Sequence, residues 1–221
     1  MRPSRILPLY SLVLLSASCP GVGPNSGPES CALPPGEELV LLNQRDSTLR
    51  FDIRYATDDN FTGRRLPGYE YPRALLRPRA ADALVRVQAR LRREGLGLKV
   101  FDAYRPIRAT QAMVLWANRS GNQWVLEQGY VARQSGHNRG ATVDLTVVRL
   151  DTGRELDMGT AYDTFSEAAH TANATGAVRE NRQKLLRAMD AEGWVNYSKE
   201  WWHFSHPGDY SALDLPLRCW R

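Results

Sequence analysis

Two kinds of apolar periodicity follow one another between residues 80 and 103. In the first part, apolar residues recur at intervals of four, three and four, which is the spacing of one buried helix face. These residues are Ala80, Leu84, Val87 and Leu91. Gly95 is expected to end this helix, because glycine is common just beyond helix C-termini. The apolar run 98–103 then predicts a buried strand, so that at least one helix is expected to pack beside a sheet.

Other segments extend this mixture of helices and strands. The predicted strands are 40–42, 49–55 and 141–148, with a strand pair or hairpin at 194–204. The further predicted helices are 110–117 and one with Leu185, Leu186 and Met189 on its buried face, ending before Gly193. Helices and strands do not alternate regularly as β-α-β units. This order predicts an α+β fold in which helices flank a mostly antiparallel central sheet.

Length and composition predict one folded domain. The chain has 221 residues, of which 43% are hydrophobic and 24% are charged, as in an ordinary globular protein with a substantial core. Residues 20–36 are rich in proline, glycine and serine, which predicts a flexible spacer. No internal repeat or second break in composition follows. We therefore predict a signal sequence at 1–19, the spacer at 20–36 and a single domain at 37–221.

The net charge of +5 does not predict a nucleic-acid partner. The basic residues are 26 arginines and three lysines, and the arginines are scattered among acidic residues. Binding to a phosphate backbone usually needs a basic stripe or patch, whereas dispersed charge is typical of a solvated surface. No nucleic acid is therefore expected as a ligand.

The N-terminus has the order of a secretory signal. Arg2 and Arg5 precede the apolar run 6–15, and the small residues 16–18 follow it. The apolar run is too short to span a bilayer as a helix. Cys19 comes next, so lipoprotein-type cleavage would attach a lipid there and tether the protein to a membrane. Ordinary cleavage nearby would release a soluble protein, and both alternatives predict export to the periplasm or cell envelope.

Export changes the interpretation of the remaining cysteines. Without Cys19, the chain keeps Cys31 and Cys219, one near each end of the domain. Outside the cytosol two such cysteines tend to pair. We expect a disulfide between them, and two unrelated thiols are the alternative.

Two motifs supply the residues of a hydrolytic metal site. The stretch "SGHNRGATVDLT" carries His137 and Asp144, and "EWWH" carries Glu200 and His203. A catalytic zinc commonly takes three protein ligands and leaves a carboxylate nearby as general base. Two histidines and one carboxylate suit zinc, which predicts a zinc site in a cleft with Glu200 as the base. Each motif alone is weak. A loop histidine and a strand aspartate are often hydrogen-bonded structural residues, and many helix surfaces carry glutamate and histidine three residues apart.

The spacing of Glu200 and His203 sets a geometric condition. The aromatic residues between and after them suit a strand, and residues three apart on a flat strand point to opposite faces. The two side chains can share a site only at a bulge or a strand end. We predict such an irregularity. His206 is a competing ligand candidate, and His170 is expected to be structural.

With "FDAYRP" and "YATDDNFTG", these motifs resemble the D-alanyl-D-alanine dipeptidases, the VanX-like zinc peptidases of the M15 type. The resemblance runs from about Arg54 to the C-terminus. It implies zinc as the cofactor, one ion per chain, held by His137, Asp144 and His203, with Glu200 as general base.

The resemblance also implies roles for residues around the metal. Arg105 would stabilise the tetrahedral intermediate, and a local salt bridge with Asp102 is the alternative interpretation. Asp163, in "MGTAYD", would receive the free amino group of the substrate, and a longer peptide would have no amine at that position. Ser135, Tyr55 and Tyr69 would line the substrate pocket.

The implied function is hydrolysis of the D-alanyl-D-alanine dipeptide, a small substrate with D-configured residues. Some family members act in the cytosol and confer glycopeptide resistance, whereas an exported enzyme is better placed for cell-wall turnover or D-alanine salvage. Two alternatives remain. One is a zinc D,D-carboxypeptidase or endopeptidase on peptidoglycan stem peptides, and the other is a zinc-containing wall-binding module without catalysis.

Overall fold

The computed structural model of this protein describes residues 31–220. The strands in this range are β1 (Val40–Leu41), β2 (Arg50–Phe51), β3 (Leu75–Leu76), β4 (Leu96–Asp102), β5 (Thr142–Arg149), β6 (Val195–Asn196) and β7 (His203–Ser205). The helices are α1 (Leu42–Arg45), α2 (Pro78–Arg92), α3 (Ile107–Arg119), α4 (Trp124–Glu127) and α5 (Gly176–Asp190). None of these helices is long and apolar enough to span a membrane.

A five-stranded sheet forms the centre of the described domain. Its strand order is β2-β4-β5-β7-β6, with β2 parallel to β4 and every other neighbouring pair antiparallel. Strands β1 and β3 form a separate antiparallel pair. The predicted α+β class with a mostly antiparallel sheet is confirmed.

The long strands β4 and β5 are buried along nearly their whole length. Helix α2 packs on β4 and on α5, and its buried face holds the four apolar residues whose spacing predicted it. Pro78 occupies the first turn, where its missing N–H costs no hydrogen bond. Beyond the helix, Gly95 has a φ of +71°, a left-handed conformation that favours glycine and turns the chain into β4.

The sheet register brings polar residues of three strands side by side. Asp144 on β5 is the direct partner of Asp102 on β4 and of His203 on β7. The register between β4 and β5 shifts between Val100 and Asp102, as at a β-bulge. Because directly opposed residues share a sheet face, the three polar side chains lie next to one another near one end of these strands.

Most predicted elements are present, and two strands are shorter than predicted. Where a strand was predicted over 49–55, the structure has β2 and then a 3-10 turn at Arg54–Ala56. The side chain of Asn60 donates hydrogen bonds to carbonyls on both sides of it, Thr57 and Arg64, and this turn network bends the chain away from the sheet. Where a strand was predicted over 40–42, helix α1 already begins at Leu42.

The ends of the described chain are joined by a disulfide. Cys31 and Cys219 are bonded, with a Cα–Cα distance of 5.4 Å. The C-terminal segment before Cys219 runs beside the site loops, and Leu213 donates its N–H to the carbonyl of Asn138. The predicted signal sequence and spacer up to residue 30 lie outside the described residues, so the predicted domain boundaries stay a prediction.

We expect that Cys219→Ser lowers the free energy of unfolding by about 5 kcal/mol, because the bond closes a sequence separation of 188 residues and restricts the unfolded chain. Urea denaturation of the mature domain measures this, with the reduced wild-type protein as the matched comparison. A variant with the wild-type midpoint under oxidising conditions would contradict the expectation.

Candidate active site

Three side chains converge in a way that suits one metal ion. His137, Asp144 and His203 each offer a ligand atom, and these atoms lie within 4.8 Å of one another. His137 Nε2 is 3.4 Å from His203 Nδ1, and carboxylate oxygens of Asp144 lie 3.3 Å and 3.0 Å from those two nitrogens. A tetrahedral centre with metal–ligand distances near 2.0–2.1 Å would place its ligand atoms about 3.3 Å apart. The observed separations fit this geometry.

Each ligand is fixed by the element that carries it. Asp144 lies on β5 and His203 is the first residue of β7. His137 lies in a one-turn 3-10 helix, Gly136–Arg139, in which the Ser135 hydroxyl accepts a hydrogen bond from the N–H of His137 at 3.3 Å. Gly140 ends this turn with a φ of +70°, and a Cβ there would lie 2.5 Å from a methyl group of Leu39. Only glycine fits this approach without displacing its neighbours.

The hydrogen bonding of His137 leaves one ring nitrogen free for a metal. Its Nδ1 lies 2.7 Å from the carbonyl oxygen of Ala103, to which only an N–H can donate. The Nε2 lone pair therefore points at the ligand cluster. Such a bond from the far nitrogen is the usual way in which proteins orient a metal-binding histidine. The donor set and this bond both fit zinc.

Glu200 stands beside the cluster at the end of a strand. It lies in the turn between β6 and β7, outside β7 itself, and one of its carboxylate oxygens is 3.5 Å from His203 Nδ1. The structure thus has the irregularity that the spacing of Glu200 and His203 requires. The amide of Asn196 donates to the carbonyls of both residues at 3.0 Å and braces the turn.

The environment of Glu200 favours the protonated form of its carboxyl group. Its side chain is 8% exposed. Burial raises the pKa of Glu200 well above its ordinary value, and the charges of Asp144 and Asp163 raise it further. A raised pKa suits a carboxyl group that must accept a proton and hold it before passing it on.

Arg105 makes the predicted ion pair and also faces the cavity. Its Nη2 lies 2.8 Å from a carboxylate oxygen of Asp102 and 3.7 Å from Asp144. The guanidinium carbon is 4.9 Å from the centre of the Tyr55 ring. The salt bridge with Asp102 therefore holds the guanidinium beside the ligand cluster, and the two interpretations of this residue are compatible.

Asp163 lies on the far side of the same cavity. The hydroxyl of Tyr55 is 3.1 Å and 3.0 Å from its two carboxylate oxygens. Burial raises the pKa of Asp163 to about 8, and the negative charge of Asp144 contributes. Within residues 31–220, Asp163 is the one non-glycine residue with a positive φ, 59°. Backbone conformations of this kind are costly and cluster at functional sites.

Tyr162 links the two carboxylates and was missed by the sequence analysis. Its hydroxyl is 3.0 Å from both the Tyr55 hydroxyl and an Asp144 oxygen. A polar chain therefore runs from Asp163 through Tyr55 and Tyr162 to the ligand Asp144. In the sequence, only its position directly before Asp163 could have pointed to Tyr162, and a single tyrosine in a loop forms no recognisable pattern.

These residues enclose a cavity of about 240 Å³. Its polar walls come from the ligand cluster, Glu200, Arg105 and Asp163, and its apolar walls include Phe61, Phe165 and Trp202. Sites for drug-sized ligands measure roughly 300–1,000 Å³, so this cavity suits a smaller molecule. It has room for a small molecule with one charged group at the Asp163 side.

The remaining predicted pocket residues lie at different depths. Tyr55 and Ser135 line the cavity. Tyr69 is fully buried behind it and donates to Asp102 at 2.6 Å, so its contact with the site passes through Asp102 and Arg105. His170 Nε2 is 3.1 Å from the hydroxyl of the cavity-lining Tyr130. His206 packs on Trp194 and is not part of the ligand cluster.

Comparisons with known proteins agree with this site. A peptidase M15 family model, described as D-ala-D-ala dipeptidase, matches residues 36–219. The D-alanyl-D-alanine dipeptidase of Enterococcus faecium is 36% identical over 198 residues, which cover 81% of this chain and 98% of that protein. The dipeptidase of Enterococcus faecalis is 38% identical, and the match covers 80% of this chain and 93% of that protein. The one of Escherichia coli is also 38% identical, and the match covers 81% of this chain and 89% of that protein.

Among solved structures, a zinc complex of a VanY D,D-pentapeptidase mutant is similar at 17% identity. The match covers 61% of this chain and 74% of the VanY chain, with a TM-score of 0.39.

We expect His203→Ala to abolish tight zinc binding, because only two ligands remain, whereas Glu200→Gln should bind zinc like the wild type. Competition with a coloured zinc chelator, followed by metal analysis of the dialysed proteins, measures both. Equal zinc affinity in the His203→Ala variant and the wild type would show that the ion lies elsewhere.

Proposed function

Because the chain belongs to the D-Ala-D-Ala dipeptidase family of the M15 peptidases, we propose that it hydrolyses D-alanyl-D-alanine to two molecules of D-alanine, with one zinc ion per chain. The observation that carries this proposal is the arrangement of one small cavity. The three proposed metal ligands and Glu200 lie together there, and Asp163 lines the same cavity. Hydrolysis and recognition of a free amino group are then served by side chains of one cavity.

The reaction needs an acidified water and a base. A bound zinc supplies Lewis acidity, which makes a water molecule acidic enough to lose a proton near neutral pH. Glu200 accepts this proton as the water attacks the peptide carbonyl and delivers it to the departing amine. Its raised pKa suits both halves of the task, because a strongly acidic carboxylate would not hold the proton between the two steps.

Arg105 stabilises the negative charge that develops on the carbonyl oxygen. Its guanidinium is held in place by Asp102 before any substrate arrives, so little reorganisation is needed during the reaction. Burial strengthens its interaction with an oxyanion, because the surrounding dielectric is low.

Asp163 selects substrates with a free amino group. An ammonium group beside its carboxylate would form a charge-assisted hydrogen bond and would lower the pKa of Asp163 from its raised value. A peptide whose amino group is acylated has no such charge and would leave the carboxylate without its partner. The small volume of the cavity also suits a dipeptide better than a longer chain, so dipeptides are the proposed substrates.

We expect the zinc-loaded mature domain to release D-alanine from D-alanyl-D-alanine and to leave N-acetyl-D-alanyl-D-alanine nearly untouched. Glu200→Gln removes the base and should lower kcat by roughly 10²–10⁴-fold while zinc remains bound. Coupled detection of free D-alanine measures both rates.

The outcome separates the alternatives. Faster cleavage of peptidoglycan stem peptides than of the dipeptide would favour the carboxypeptidase or endopeptidase hypothesis. Binding of zinc without hydrolysis of any of these substrates would favour a non-catalytic module.

The N-terminal sequence supports a location outside the cytosol. Arg2, Arg5 and the apolar run 6–15 have the order of a secretory signal. An enzyme placed there would meet D-alanyl dipeptides released during cell-wall turnover, and recovery of D-alanine is its proposed purpose.

We expect a full-length chain with a C-terminal tag to appear in the cell envelope or periplasm of a bacterial host, shortened at its N-terminus. Replacing both Arg2 and Arg5 by Glu should retain it in the cytosol. Cys19→Ser distinguishes lipidation from ordinary signal cleavage. If Cys19 carries a lipid, the substitution should shift the protein from the membrane fraction to the soluble fraction, and otherwise its fraction should not change. Full-length protein in the cytosol of the wild-type strain would contradict export.

A further inference from the structure

The segment that carries Asp163 has little regular structure of its own. Between β5 and α5, the backbone forms one short 3-10 turn, Glu167–Ala169, and one isolated bridge at Glu155. Yet Tyr162 and Asp163 occupy defined positions against β5 and Tyr55. Something other than secondary structure must therefore hold this segment.

Arg182 of α5 provides a large part of that hold, beside a hydrogen bond from Trp201 Nε1 to the Thr160 hydroxyl. Its Nε donates to the carbonyl of Met158 at 2.8 Å. One terminal nitrogen donates to the carbonyl of His170 at 2.7 Å, and the other donates to that of Ala168 at 2.9 Å. Met158 precedes Asp163 by five residues and Ala168 follows it by five. A single guanidinium thus joins the two flanks of the loop that has Asp163 at its centre.

The chemistry of this contact requires arginine. Arg182 is 2% exposed, and among residues 31–220 its hydrogen bonds go to carbonyl oxygens and not to a carboxylate. A buried charge without a counter-ion is costly unless its donors are satisfied. The guanidinium has donors in a fixed planar fork, which reaches carbonyls on two sides, whereas a lysine ammonium is a single point.

The loop is also shaped to approach α5 closely. Gly159 has a φ of +80°, and a Cβ at this position would lie 2.7 Å from a methyl group of Val178 and 3.3 Å from the Arg182 guanidinium. The absence of a side chain lets the backbone reach the helix. Helix α5 is in turn fixed to the core by Leu185 and Met189, so the anchor of the loop is rigid.

We propose that Arg182 is a positioning residue that fixes the Asp163 loop and thereby sets the preference for a free amino group on the substrate. Arg182 does not line the cavity and acts through the backbone between Met158 and Ala168. This inference rests on the proposed function, because the amino-group preference has meaning only for a peptidase.

The test compares Arg182→Met and Arg182→Lys with the wild type and with Leu185→Ala. The last variant removes core packing from the same helix and keeps the Arg182 guanidinium, so it controls for loss of stability. We expect Arg182→Met to lower kcat/KM for D-alanyl-D-alanine by up to about 100-fold, mainly through KM, because small misplacements of a binding group are costly. Cleavage of N-acetyl-D-alanyl-D-alanine should stay at its low level.

Arg182→Lys keeps the charge without the fork, so its KM should lie between those of the wild type and Arg182→Met. It also carries the test if Arg182→Met does not fold. Leu185→Ala should unfold at lower temperature with an unchanged KM. A wild-type KM in a folded Arg182 variant, or an equal rise of KM in Leu185→Ala, would overturn the proposal.

Backbone hydrogen exchange gives a readout that does not depend on activity. In the Arg182 variants, exchange should accelerate within residues 158–170 and stay unchanged in β4 and β5, with zinc content unchanged. If the wild type has no dipeptidase activity, the proposed function fails while this result still supports Arg182 as the anchor of the loop. Unchanged exchange in 158–170 would overturn the anchoring role itself.

Discussion

Two buried carboxylates lie side by side on neighbouring strands of the central sheet, and the site depends on how their negative charges are compensated. Asp102 on β4 and Asp144 on β5 are direct cross-strand partners, an arrangement that is unfavourable for like charges. Arg105 pairs with Asp102, and the hydroxyls of Tyr69 and Tyr162 donate to one carboxylate each. A divalent cation among the ligands would complete the compensation at Asp144.

The two carboxylates respond differently to this environment. Burial raises the pKa of Asp102, although the nearby Arg105 opposes the shift. Burial alone would also raise the pKa of Asp144, but His137 and His203 reverse the effect and hold it well below its ordinary value. Asp144 therefore stays ionised and ready to bind a metal. Asp102 holds the Arg105 guanidinium, for which we propose the stabilisation of the oxyanion.

The sequence predicts the sheet and its chemistry better than the loops around them. Helix α2 and strands β4 and β5 follow from apolar periodicity, because burial imposes a regular spacing on helices and strands. The ligand residues follow from two short motifs that match a known family. Arg182 was not identified, because its partners are backbone carbonyls, which leave no pattern in the sequence. The shortened strand at 49–55 has a similar cause, since side-chain bonds of Asn60 override the β-forming residues before it.

The residues of the candidate site lie partly on rigid strands and partly on an irregular loop. Asp144, which we propose as a metal ligand, and Asp102, which holds the Arg105 guanidinium, lie on strands whose register is fixed by burial on both faces. This suits chemistry that tolerates little displacement. Asp163 instead lies on a segment outside the sheet, whose two flanks are joined by Arg182 and which also contacts β5 through Tyr162. In the proposed function, recognition of the amino group and hydrolysis are thus carried by different parts of the fold. The two parts stay coupled, because the hydroxyls of Tyr55 and Tyr162 connect Asp163 to Asp144.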